Sequence, residues 1–130
     1  MPLYRQVLRL RPDNGDALND LAYALSETGG NLKEALQLAL RAQTLMAGQP
    51  NVADTVGWIY LKQNIPDSAL DIFRRLVRKN PDNSTYRYHL GAALLLKGDK
   101  TAAKTELQIA LQKSPDKQEE QRIRELLNRV

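Results

Sequence analysis

Apolar residues, small and large, recur along this chain at an interval close to 34 residues. The most regular column holds Ala35, Ala69 and Ala103, and a second column four positions later holds Ala39, Phe73 and Leu107. A third column places a large apolar residue before a small one, at Leu21-Ala22, Val56-Gly57 and Leu90-Gly91. This spacing predicts a repeat of two antiparallel helices, each copy burying its apolar face against the next.

The same pattern predicts eight helices, which span residues 2–11, 16–28, 32–46, 51–63, 66–79, 84–97, 100–113 and 118–129. A column at the ends of the repeats holds Pro12, Pro81 and Pro115, with Ala47 in the equivalent place. Proline stops one helix before the next begins. The first interval of the third column is 35 residues long, and its extra residue falls in a turn, where insertions are tolerated best.

Two helix connections have residues suited to specific backbone conformations. Asn31 and Glu34 are predicted to form a capping box at the start of the helix at 32–46. Asn64 takes the place of a glycine in the turn before the helix at 66–79. We expect Asn64 to adopt the left-handed conformation, which asparagine tolerates better than most residues.

The register divides the chain into repeats. Residues 1–14 fit the second helix of a truncated repeat, followed by repeats at 15–49, 50–83 and 84–117 and a capping helix at 118–130. The last helix carries an apolar stripe that includes Ile123, as expected where a stack of helices ends. At the other end, Leu3, Val7 and Leu10 are expected to lack part of their cover. Self-association through that edge is therefore predicted in concentrated solution.

Small residues at repeat positions 8, 20 and 27, with proline at 32, closely resemble the tetratricopeptide repeat over nearly the whole chain. The resemblance implies an all-α superhelix, or solenoid, of antiparallel helix pairs that serves as a non-catalytic protein-binding scaffold. A narrower resemblance, in residues 54–60 and 87–91, is to bacterial tetratricopeptide lipoproteins of exopolysaccharide export and protein sorting. It implies an envelope-associated assembly factor.

In the resembled family, the first helix of each pair lines a concave face. Mapping its repeat positions onto this chain gives the candidate ligand-binding residues Asn19, Asp20, Tyr23, Asp54, Thr55, Trp58, Tyr88 and His89. Large aromatic rings are common binding anchors, but Trp58 and the two tyrosines are equally suited to packing against a neighbouring helix, and both readings stay open. Asp16 and Asp20 lie four residues apart and are expected to repel each other.

The acidic residues determine the partner that we expect. Family members that hold the acidic tails of heat-shock chaperones use lysine and asparagine where this chain has Asp20, Tyr23 and Asp54. A partner segment with basic or apolar side chains therefore fits this face better. The alternatives are a glycan-binding or envelope assembly module of a bacterial exopolysaccharide system, and a structural spacer.

Composition and charge narrow the remaining classes of function. The 130 residues carry a net charge of +4, but the basic residues are interspersed with acids and lack nearby aromatics, so no nucleic-acid partner is expected. The absence of long apolar runs argues against membrane insertion. With one histidine, no cysteine and no phosphate-binding loop, we expect no enzymatic activity, cofactor or metal. The compartment stays open between bacterial periplasm or envelope and cytoplasm.

Overall fold

The computed structural model describes residues 5–6, 9 and 13–130. Over residues 13–130 it contains seven helices and no strand: α1 (Gly15–Glu27), α2 (Leu32–Leu45), α3 (Pro50–Lys62), α4 (Pro66–Lys79), α5 (Ser84–Lys97), α6 (Lys100–Gln112) and α7 (Lys117–Leu127). Each begins and ends within two residues of its predicted bounds. Leu3, Val7 and Leu10 of the predicted helix at 2–11 lie outside the described residues.

The helix starts are capped by local hydrogen bonds that the sequence supplies. Five of the seven helices have an asparagine or aspartate N-cap whose side chain accepts a backbone N–H of the first turn: Asn14, Asn31, Asn83, Asp99 and Asp116. The helices α3 and α4 instead have proline in the first turn, where its missing N–H costs nothing.

The local conformations predicted for Asn31 and Asn64 are present. The Asn31 side chain accepts the backbone N–H of Glu34 at 3.1 Å, which is the asparagine half of the predicted capping box. The Glu34 carboxylate lies 2.9 Å from the guanidinium of Arg5. Asn64 has a φ of 64°, so the prediction of a left-handed turn residue is confirmed.

The chain forms two compact units, Met1–Gln63 and Asn64–Val130. In the first unit, α3 packs against both α1 and α2, which are joined by a short turn and run antiparallel. Its core includes a cluster of Leu18, Ala42 and Val52, with Leu38 and Met46 packed against it. The division between units falls within the repeat predicted at 50–83, and the repeat boundaries themselves stay a prediction.

In the second unit, α5 packs against α4 and α6, while α7 packs against α6 and α5. Phe73, Leu107 and Ile123 are fully buried and come from α4, α6 and α7. The burial of Ile123 agrees with the apolar stripe predicted for the last helix. None of the helices in the described part of the chain is long and apolar enough to cross a membrane.

Candidate functional site

Six of the predicted site residues belong to two contacting helices of the first unit. On α1, Asp16, Asn19, Asp20, Tyr23 and Glu27 are spaced three, four, seven and eleven residues from the first of them, so they follow one side of the helix. On α3, the corresponding residues are Asp54, Thr55, Trp58 and Lys62. We refer to these nine residues as the α1–α3 face.

A chain of contacts joins Tyr23 to Trp58 across this face. The Tyr23 hydroxyl donates a hydrogen bond of 2.7 Å to one oxygen of Glu27. The other Glu27 oxygen lies 3.9 Å from the ammonium nitrogen of Lys62. That nitrogen is 5.0 Å from the centroid of the Trp58 ring, in a cation–π contact. Two of the predicted aromatic residues are thus connected through an ion pair.

Glu27 and Lys62 are not among the candidate site residues predicted from the sequence. A signal for the pair was available. Glu27 and Lys62 are 35 residues apart, as are Tyr23 and Trp58, so both pairs occupy equivalent positions in successive repeats. Opposite charges at one repeat position predict an ion pair between the first helices of neighbouring repeats.

The residues of the α1–α3 face differ widely in exposure. Tyr23 is 42% exposed, whereas Trp58 is 5% exposed. Thr55 is also buried, and its hydroxyl donates to the Asn51 carbonyl at 3.0 Å. The buried Asn19 has a side-chain oxygen with no hydrogen-bond partner among the described residues. Asp20 is exposed and Asp54 is half-buried.

The two carboxylates at the start of α1 interact unfavourably. Partial burial, and secondly the charge of Asp16, raise the pKa of Asp20 above its ordinary value of 3.8. This confirms the repulsion that the four-residue spacing of Asp16 and Asp20 predicts. A cation placed between the two carboxylates would relieve this repulsion and lower the pKa of Asp20.

The other two predicted site residues, Tyr88 and His89, lie on α5 in the second unit. Both are buried, with exposures of 5% and 6%. The His89 ring centroid lies 5.0 Å from that of Tyr88 and 5.4 Å from that of Phe73, with the rings tilted by 50° and 49°. Tilted pairs at these distances are typical of aromatic packing.

The described residues offer little else that could bind a small ligand. No group of three or more histidine, cysteine, aspartate or glutamate side chains is placed to hold a metal ion there. A cavity of about 340 Å³ in the first unit is lined by Arg5, Arg9, Leu21, Glu34 and Leu38. The Arg5 charge is already paired with Glu34 at its rim, and no residue of the α1–α3 face lines the cavity.

Two family models, both described as tetratricopeptide repeat, match residues 3–37 and 57–117. The chain belongs to the tetratricopeptide repeat family. The matches confirm the resemblance carried by the small-residue columns and the prolines. Tetratricopeptide repeat proteins are typically non-catalytic, and this membership supports a general role as a protein-interaction scaffold.

A relative by sequence is the TPR repeat-containing protein PA4667 of Pseudomonas aeruginosa. It is 34% identical over 87 residues, which cover 67% of this chain and 15% of the relative. The chain therefore spans about a seventh of the length of that protein.

Solved structures of tetratricopeptide type share the fold. The type III secretion translocator chaperone SycD of Yersinia enterocolitica matches with a TM-score of 0.77 and 17% identity, over 96% of both chains. MamA matches with a TM-score of 0.71 and 19% identity, over 86% of this chain and 65% of its own. The pilF protein of Pseudomonas aeruginosa matches with a TM-score of 0.69 and 23% identity, over 87% of this chain and 51% of its own. These likenesses confirm the predicted fold class, an all-α tetratricopeptide solenoid.

Proposed function

We propose that this chain is a non-catalytic tetratricopeptide scaffold that binds a protein segment carrying basic and apolar side chains on its concave face. The observation that carries the proposal is the α1–α3 face, where acidic side chains lie beside a tyrosine and a tryptophan. The proposed contacts from the first unit are Asn19, Asp20, Tyr23, Asp54, Thr55 and Trp58. For the second unit by itself, the corresponding proposed contacts are Tyr88 and His89. In this proposal the first helices of the repeats at 15–49, 50–83 and 84–117 carry the contacts.

The preference for a basic segment is supported by the electrostatics of α1. Burial and the charge of Asp16 raise the pKa of Asp20, so its ionised carboxylate is disfavoured in the folded chain. A lysine or arginine of the partner would offset both charges at once. Because Asp20 is exposed, this attraction is screened by salt and acts mainly on selectivity and on the rate of association.

The exposure of the two rings favours a protein segment over a glycan. A neutral sugar that stacks on Trp58 would have to displace the Lys62 ammonium from the buried ring without supplying a cation in its place. Tyr23 is 42% exposed and also has a polar hydroxyl, which suits contact with a peptide. Glycan binding, with its envelope assembly role, is therefore the alternative that titration with an oligosaccharide distinguishes.

Calorimetric titration of the intact chain tests the proposal. The ligands are a basic-apolar peptide, an acidic peptide of the same length and a neutral oligosaccharide. We expect binding of the basic-apolar peptide alone, weakened about three- to tenfold by Asp20→Asn or Asp54→Asn, in line with about 1 kcal/mol for a partly exposed charge pair. The control Asp71→Asn removes an exposed carboxylate on α4, outside the face, and should leave binding unchanged.

Two results would contradict the proposal. Preference for the acidic peptide would mean that the carboxylates do not face the ligand. Binding of the oligosaccharide without the basic peptide would instead support the glycan alternative.

A further inference from the structure

The ammonium of Lys62 already occupies a site that has the chemistry of a cation-binding pocket. Its nitrogen lies 5.0 Å from the centroid of the Trp58 ring and 3.9 Å from a Glu27 carboxylate oxygen. The face of an indole ring is the strongest aromatic partner for a cation, and a nearby carboxylate adds opposite charge. The combination of ring and carboxylate comes from α3 and α1, which are in contact.

The carboxylate is held in place, while the lysine is held weakly. Glu27 accepts the Tyr23 hydroxyl at 2.7 Å through one oxygen, which leaves the other oxygen directed to Lys62. A distance of 3.9 Å is too long for a hydrogen bond, and the Lys62 side chain is 38% exposed. A partly exposed ion pair of this kind contributes about 0–1 kcal/mol, so separating Lys62 from Glu27 costs little.

An arginine side chain fits the same site better than a lysine. Its guanidinium is planar, so it stacks on an indole face, and its N–H groups can hydrogen-bond to the Glu27 oxygen that faces Lys62. Asp54 lies one helical turn before Trp58 on α3 and adds negative charge to the same stripe.

We propose that Lys62 is an internal competitor for an arginine of the partner: it covers Trp58 in the unliganded protein, and the arginine displaces it to contact Trp58 and Glu27. This inference rests on the proposed function and deepens it, because it names the side chain that the α1–α3 face selects. Removal of Lys62 should therefore strengthen binding, although Lys62 belongs to the α1–α3 face.

The single tryptophan of the chain provides a direct measurement. The fluorescence of Trp58 is followed during titration with a basic-apolar peptide that has one central arginine, and with the same peptide carrying uncharged citrulline there. Lys62→Met keeps the apolar stem and removes the charge. We expect it to bind the arginine peptide about three- to tenfold more tightly than the unmodified protein, which corresponds to about 1 kcal/mol of displaced ion pair.

Three comparisons accompany this titration. Lys33→Met removes another exposed lysine of the first unit, outside the face, and should leave affinity unchanged. Glu27→Gln should reduce the affinity for the arginine peptide to that for the citrulline peptide. Lys62→Gln repeats the test with an uncharged polar side chain at position 62. Thermal unfolding of each variant verifies that the variant is folded.

The outcomes separate this inference from the proposed function. If either Lys62 variant binds the arginine peptide more weakly than, or as tightly as, the unmodified protein, Lys62 does not compete and the inference is overturned, while peptide binding stands. Equal affinity for arginine and citrulline peptides overturns it as well. If no peptide binds to the unmodified protein or to the Lys62 variants, the proposed function itself fails.

Discussion

Gly91 on α5 lies so close to Leu107 on α6 that a Cβ atom at position 91 would be 2.7 Å from the Leu107 Cδ2 atom. The same Cβ would lie 3.4 Å from the Ala103 carbonyl oxygen. Leu107 is fully buried, so it has no room to move away. The small residue at this repeat position therefore sets how closely the two helices pack.

Gly91→Ala is expected to lower the free energy of unfolding by about 1–3 kcal/mol, because overpacking a rigid core forces side chains and backbone to shift. Helix propensity acts in the opposite direction, since alanine is favoured over glycine by about 1 kcal/mol in a helix. Urea unfolding followed by circular dichroism measures the net effect. A variant more stable than the parent would show that propensity, rather than packing, governs this position.

Arg87 connects three segments of the second unit, and its replacement tests how much these contacts stabilise the folded chain. Its guanidinium lies 2.9 Å from Glu106 on α6 and donates to the Pro81 carbonyl at 3.0 Å, and both charged side chains are largely buried. Arg87→Lys keeps the charge but loses the forked hydrogen bonds, so we expect a loss of about 1–2 kcal/mol in urea unfolding.

The matched control is Arg75→Lys. Arg75 pairs with Asp71 on the exposed side of α4, at 2.7 Å and with both side chains more than 60% exposed. We expect a change within about 0.5 kcal/mol there, since surface pairs contribute little. Equal effects at positions 75 and 87 would contradict the account of Arg87.

A side-chain hydrogen bond joins Thr85 on α5 to the last helix. The Thr85 hydroxyl lies 2.7 Å and 3.0 Å from the two oxygens of Glu119 on α7. Thr85→Val should leave the Glu119 carboxylate without that donor and raise the amide exchange rate of α7 about five- to tenfold, equivalent to about 1 kcal/mol. Thr105→Val, which removes a hydroxyl bonded only within α6, serves as the control. Unchanged exchange in α7 would show that apolar packing alone holds it.

Stability should respond to pH through Asp20. Burial and the charge of Asp16 raise the pKa of Asp20 above 3.8. The Asp20 carboxyl therefore binds a proton more tightly in the folded chain than in the unfolded chain. Ionisation of Asp20 therefore opposes folding at neutral pH, and the penalty disappears as the pH falls through the raised pKa to below 3.8. Asp20→Asn should be more stable than the parent at pH 7, by about 0.5 kcal/mol or less for an exposed group, and lose that advantage near pH 3. Destabilisation by Asp20→Asn at pH 7 would contradict this.

The sequence predicts the helices well because burial in a helical repeat is periodic. Ala35, Ala69 and Ala103 share one column, and all three are fully buried. Helix ends were equally predictable where asparagine or aspartate caps them, since these side chains bond to the adjacent backbone. Such features depend on residues close in sequence or at a fixed repeat distance.

The candidate site is less predictable, because it depends on side-chain conformation and on distances between helices. The repeat register predicts Trp58 as a residue of the concave side, but it does not predict that Lys62 lies over its ring. Likewise, the bond between Thr85 and Glu119 joins residues that repeat spacing brings near each other, although neither belongs to an apolar column. The charge repulsion between Asp16 and Asp20 was predictable, since both lie on one turn of the same helix.

Binding of a basic-apolar segment to the α1–α3 face can be observed residue by residue with nuclear magnetic resonance. Amide and indole signals of the ¹⁵N-labelled chain are followed during titration with the arginine-containing peptide. We predict saturable shifts concentrated at Asn19, Asp20, Tyr23, Asp54 and Trp58, including the Trp58 indole N–H. Shifts confined to the exposed side of α2 or to α6, or no shifts at millimolar peptide, would contradict the account.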